Sequence, residues 1–137
     1  MLKTACTNPV ILSALSKGGH GDKVLIVSGN YPVDKMCPGV PTAYVGLRAG
    51  LPDTLDVLRL VEELIVVEKA EVMLEPDAAY AEIFPRYSEL LHGMELHTLP
   101  KKEFYAAGGD QRVCLVISTG DIRPWANILL TIGVVRP

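Results

Sequence analysis

Two of the strand-like segments are apolar throughout: Val24-Leu25-Ile26-Val27 and Val113-Cys114-Leu115-Val116-Ile117. Short apolar runs bounded by polar turns suit strands buried on both faces, not the alternating strands of a half-exposed sheet. Around them, hydrophobic residues recur at helical spacing. Asn8-Pro9 opens a first helix, with Asn8 as N-cap and proline at the first helical position, and Gly18-Gly19 closes it. Pro52-Asp53 starts a second helix, through about Leu64, that aligns Leu55, Leu58 and Val61. The pattern predicts a third helix over Asp77 to Leu91 and a fourth over Pro100 to Ala107, closed by Gly108-Gly109. Ala43 to Leu47, Ile65 to Leu74, Leu96 to Leu99 and a segment within Asn127 to Val135 read as further strands, and a loop rich in Pro and Gly runs from Gly29 to Pro41. Helices that alternate with strands indicate an α/β fold: a layered sheet flanked by helices, forming a single domain over residues 1–137.

Composition narrows the function classes. Hydrophobic residues make up 49% of the 137 positions, enough for one buried core and too many for a disordered chain. The 13 basic and 16 acidic residues are scattered and leave a net charge of −3, so no nucleic-acid partner is expected. No run approaches the ~18 apolar residues that cross a bilayer, so no membrane partner is expected. The N-terminal segment lacks the apolar core of a signal peptide, since Asn8-Pro9 and Ser13 break it. Three cysteines, at 6, 37 and 114, have no CxxC spacing and suit reduced thiols in a cytoplasmic protein. His92 and His97 lack partners at metal-ligand spacing, so no metal is expected.

Candidate chemistry lies in the loops at the ends of the two apolar strands, where α/β sheets commonly present ligand-binding groups. His20 stands between glycines in Gly18-Gly19-His20-Gly21-Asp22. With Asp22 holding its ring, it has the makings of a proton-transfer group near neutral pH; a solvated turn histidine beside a turn aspartate fits the same residues. Trp125, the only tryptophan, follows a proline in Thr119-Gly120-Asp121-Ile122-Arg123-Pro124-Trp125-Ala126-Asn127. An indole face suits the C–H face of a sugar and the Asn127 amide suits its hydroxyls. Packing of Trp125 against a neighbouring helix or subunit is the equal alternative.

Several of these motifs together resemble the RbsD/FucU family of D-ribose pyranases and L-fucose mutarotases. They are Gly19-His20-Gly21-Asp22, Asn30-Tyr31-Pro32, Glu103-Phe104-Tyr105, Thr119-Gly120-Asp121 and the run from Pro124-Trp125-Ala126-Asn127 through Ile128-Leu129-Leu130 to Gly133-Val134. The resemblance spans nearly the whole chain, and Asn30-Tyr31-Pro32 with Phe104-Tyr105 leans towards the fucose branch. It implies a homo-oligomeric ring of ten subunits and a cofactor-free, metal-free interconversion of sugar anomers or ring forms. It assigns the acid–base role to His20, and sugar contacts to Ser28, Lys101, Trp125, Ala126 and Asn127. Three of these depart from the family pattern. Trp125 replaces a tyrosine, Ser28 an aspartate, and Lys101 a histidine or arginine. Lys101 keeps a cation without arginine's planar fork.

The expected function is therefore mutarotation of a free monosaccharide such as L-fucose or D-ribose, with His20 transferring protons and Asp22 orienting it. A non-catalytic monosaccharide-binding protein on the same fold is the alternative, motivated by the missing carboxylate at Ser28.

Overall fold

The computed structural model describes every residue from Met1 to Pro137. Along the chain it forms α1 (Pro9–Lys17), β1 (Lys23–Val27), α2 (Val33–Met36), β2 (Thr42–Tyr44), α3 (Thr54–Glu62), β3 (Val67–Met73), α4 (Ile83–Leu90), β4 (Leu96–Leu99), α5 (Lys101–Gly108), β5 (Val113–Ser118) and β6 (Ile128–Ile132). Local signals place the helix starts. The Asn8 side chain accepts the N–H groups of Val10 and Ile11 at the head of α1. Asp53 and Asp56 cap α3 reciprocally, each carboxylate accepting the other's backbone N–H.

The strands form one sheet in the order β2-β5-β1-β6-β3-β4. β1, β2 and β5 are parallel, as are β3 and β4, while β6 runs antiparallel to both β1 and β3. Five strands therefore point one way and β6 alone points back. Successive β1 residues feed opposite faces. Val24 and Ile26 join the larger core, built with α1, α3 and α4 around Leu58, Phe84 and Tyr87. Leu25 and Val27 join a smaller core with Val33, Cys37 and Phe104, under α2 and α5. A register shift between Lys23 and Val24 against β5 sends Val113 to the smaller core although Leu115 and Ile117 face the larger one.

The α/β reading, a layered sheet flanked by helices, holds, with several boundaries corrected. The third predicted helix starts at Ile83, not Asp77. A start at Asp77 would put Pro85 deep in the helix interior, whereas a start at Ile83 puts it in the first turn, where its missing N–H costs no hydrogen bond. The loop after Gly29 contains the single turn of α2. β2 ends at Tyr44 and β6 at Ile132, both short of the expected limits.

Candidate functional site

At the carboxyl end of the parallel strands lies a cavity of about 200 Å³, small beside the ~300–1,000 Å³ of drug-sized sites. Its walls are Ser28 and Asn30 after β1, Met73 at the end of β3, Lys101 and Tyr105 on α5, and Arg123, Trp125 and Asn127 before β6. Tyr31 closes the base, its ring edge-on to both Phe104 and Tyr105. Four of the residues expected to hold a sugar, Ser28, Lys101, Trp125 and Asn127, thus line one cavity.

β6 brings Asn127 there by running against β1. The Ser28 N–H donates to Asn127 Oδ1 at 3.0 Å. That bond fixes the amide's orientation and leaves Nδ2, which has no partner within the chain, free for a ligand. Trp125 takes a left-handed backbone conformation (φ 63°), uncommon for a bulky side chain and a mark of a constrained loop. Its indole packs against both cores, as the packing reading expects, and remains partly open to the cavity. Ala126, expected to contact the sugar, is wholly buried and does not line the cavity. Lys101 Nζ lies 5.8 Å from the Tyr105 ring centre and pairs with no carboxylate.

Behind the cavity sits a polar network that sequence reasoning missed. Asp121, 1% exposed, accepts hydrogen bonds from the Thr54 N–H and hydroxyl and from the Arg123 N–H, Nε and Nη2. Arg123 Nη2 also reaches Asp53, the cap of α3, at 2.9 Å, and the Tyr87 hydroxyl meets Thr54 Oγ1 at 2.7 Å. Burial by itself would raise the Asp121 pKa, but the Arg123 guanidinium and the Thr54 hydrogen bonds outweigh it and hold the carboxyl below the usual range. The network anchors the Trp125 loop to α3 and α4. The one hint in the sequence is Asp121 and Arg123 two residues apart in a loop, which says nothing of Asp53 or Tyr87.

His20 lies at the other end of the sheet. It precedes β1 and Ser28 follows it, so the five residues of the strand, roughly 16 Å of rise at ~3.3 Å each, separate them. The turn is well fastened: the Gly21 N–H donates to Ile132 O at 2.8 Å, and Arg112 Nη2 to His20 O at 3.2 Å. Asp22, expected to orient the imidazole, does not touch it; its carboxylate accepts the Gly19 N–H at 2.8 Å and closes the turn. The ring instead meets Glu68, whose carboxylate oxygens lie 3.0 and 3.2 Å from Nε2. Glu68 and His20 are 48 positions apart in sequence, out of reach of any local pattern. His92 pairs with Glu62 at 2.7 Å, away from the cavity. No three His, Cys, Asp or Glu side chains converge as a metal site would require.

Two larger hollows of about 550 Å³ each lie elsewhere, one beside Asp34 and Tyr44 and one between α1 and Cys114. Neither brings an aromatic face, an amide and a cation together, so the smaller cavity is the better candidate.

Comparison with known proteins shows the family and the fold. The model of the RbsD / FucU transport protein family matches residues 1–135. D-ribose pyranase 2 of Streptomyces griseus is 34% identical over 141 aligned positions, covering 98% of each chain. The D-ribose pyranase of Symbiobacterium thermophilum is 31% identical over 98% of each. Bacillus subtilis RbsD, solved in complex with D-ribose, superposes with a TM-score of 0.86 at 29% identity, covering 99% of this chain and all of that one (100%). The fucose mutarotase of Streptococcus pneumoniae, solved with L-fucose, shares the fold with a TM-score of 0.79 at 21% identity over 94% of each chain.

Proposed function

The chain belongs to the RbsD/FucU family, and from that premise we propose that it is a sugar mutarotase, an isomerase that interconverts ring forms or anomers of a free monosaccharide such as D-ribose or L-fucose. The observation that carries the reading is the convergence of the Trp125 face, the unpaired Asn127 amide and the Lys101 cation on one small cavity in a chain that the family model matches over residues 1–135. Mutarotation needs little more. A base takes the proton of the anomeric hydroxyl, the bond from the anomeric carbon to the ring oxygen breaks, a carbonyl forms, and the ring oxygen gains a proton; closure on the other face reverses these steps. One positioned acid–base group and correct orientation are enough, with no redox step. His20 is assigned the proton transfer. Trp125 stacks on the sugar ring while Asn127, Ser28 and Lys101 hold hydroxyls; Ala126 sets the loop.

His20 and the cavity occupy opposite ends of one chain, so the complete site forms between two copies, one supplying the cavity and the next supplying His20. Both ends carry exposed apolar residues: Leu47 and Ile122 near the carboxyl end, Val66, Val134 and Val135 near His20. Unlike surfaces that meet head to tail close into rings, and a ring of ten fits the family resemblance. No helix is long and apolar enough to cross a membrane, and the three free cysteines fit a cytoplasmic location. The alternative, a sugar-binding protein without catalysis, draws on the uncharged Ser28 at the cavity wall.

Saturation-transfer NMR of anomer exchange on ribose, fucose and galactose tests the reading. The protein is expected to accelerate at least one of them; binding without acceleration supports the alternative. Co-expression tests the shared site. His20→Ala and Asn127→Ala subunits, each impaired alone at sub-saturating sugar, are expected to regain activity when assembled together, with about a quarter of sites intact under random mixing in a head-to-tail ring. Light scattering that gives a monomer overturns the ring.

A further inference from the structure

We propose that Glu68 is the positioning residue of the His20 acid–base group: its carboxylate fixes the ring so that Nε2 carries the hydrogen and Nδ1 is the atom that exchanges protons with the sugar. The inference rests on the assignment of proton transfer to His20. Its geometry stands independently of that assignment.

Three features place Glu68. Along β3 the pairing with β6 skips a position: Val67 faces Ile132 and Lys69 faces Thr131. Glu68 falls in that irregularity, outside the ladder, and a bulge of this kind re-aims a side chain. Gly133 lies against it, where a Cβ would come 3.2 Å from Glu68 Cβ and 3.0 Å from Val66 Cγ1. That is tight for any side chain, so the residue that follows β6 is the one that leaves Glu68 room. The same end of β6 accepts the Gly21 N–H through Ile132 O, so one strand terminus locates both the turn of His20 and the acid that faces it.

No other group competes for the ring. Asp22 is occupied by the Gly19 N–H, and the nearby Arg112 guanidinium donates to the His20 carbonyl, not to the imidazole. Both Glu68 oxygens lie within 3.2 Å of Nε2, and the ring makes no other hydrogen bond within the chain. A carboxylate only accepts, so Nε2 donates and Nδ1 keeps its lone pair. When Nδ1 takes the anomeric proton, the imidazolium forms with its counter-charge already in place, as carboxylate partners serve histidines elsewhere. The side chains of His20 and Glu68 are 60% and 43% exposed. A pair so open contributes little to stability, and orientation of the ring is what remains for it to do.

The test uses the intact assembled protein with Glu68→Ala, Glu68→Gln and Glu68→Asp. Glu68→Ala is expected to lower protein-catalysed anomer exchange about tenfold or more, the scale seen when the partner of a functional histidine is removed, with sugar affinity unchanged within about twofold. Glu68→Gln, which can still accept from Nε2 but carries no charge, falls between, and Glu68→Asp restores part of the rate. Long-range proton–nitrogen NMR reads the ring directly: the His20 Nε2–H tautomer dominates in the wild type and gives way to a mixture in Glu68→Ala. Wild-type exchange in Glu68→Ala, or an unchanged tautomer, overturns the inference. Should the wild type accelerate no sugar, it is the function proposed above that fails, and the tautomer measurement still decides whether Glu68 governs the ring. If Glu68→Ala loses its assembly, the same two readings in Glu68→Gln and Glu68→Asp decide it.

Discussion

The two ends of the sheet are built in opposite ways. At the carboxyl end Asn127 is locked to Ser28, and Asp121 accepts five hydrogen bonds in the wall behind. At the amino end the His20 backbone is fastened but its imidazole stands in solvent with a single partner. In the proposed mechanism the binding half of the chemistry is pre-organised inside one subunit, and the proton-transfer half needs a second surface to exclude water around it. Stability and activity should therefore separate cleanly by end.

The strongest expected effect is on stability. Asp121→Asn removes the one buried carboxylate that balances Arg123 and is expected to cost about 3 kcal/mol in urea unfolding. The pH dependence has a definite sign. The folded Asp121 pKa is depressed, so its contribution is present above the unfolded aspartate value near ~3.9 and is lost as pH falls through the lower folded value. The wild type should lose stability below about pH 4 more steeply than Asp121→Asn; equal slopes would remove Asp121 from the account. Next comes His20→Ala, expected to reduce exchange by about 10²-fold or more, near 2.7 kcal/mol of barrier, with stability within about 0.5 kcal/mol of wild type. Loss of folding in that variant would erase the contrast between the ends. Asn127→Ala should weaken sugar affinity about tenfold in calorimetric titration and, by leaving the Ser28 N–H buried without a partner, cost about 1–2 kcal/mol of stability. The smallest effect is expected for Asp22→Asn. Its amide oxygen can still accept the Gly19 N–H, so exchange should stay within about twofold; a large loss would restore Asp22 as the group that orients the ring.

The sequence shows what is local. The Asn8-Pro9 cap, the uninterrupted β1 and β5 runs and the family motifs around His20 and Asn127 are all readable because each depends on neighbours a few positions apart. Three things depend on pairing and were not readable. The antiparallel placement of β6 between β1 and β3 puts the cavity residues and His20 at opposite ends, though both belong to motifs that read as one site. Glu68 faces His20 only because of the β3 irregularity. Asp22, two positions from His20, is the acid a local reading reaches; Glu68, 48 positions away, is not. Pro85 is the exception: it was legible, and reading it as a first-turn residue would have moved the start of α4 to Ile83.

The reversed direction of β6 has one more consequence. Its first residue follows the amide that meets Ser28, and its last supplies the carbonyl that holds Gly21. Five consecutive residues thus act as a gauge bar whose two tips set two distant clearances at once. A one-residue insertion between Arg123 and Ile128, if taken up by sliding the strand, would invert which side chains face each core and displace both tips together. The loop can therefore accept changes of residue type, such as an indole at Trp125, far more readily than changes of length.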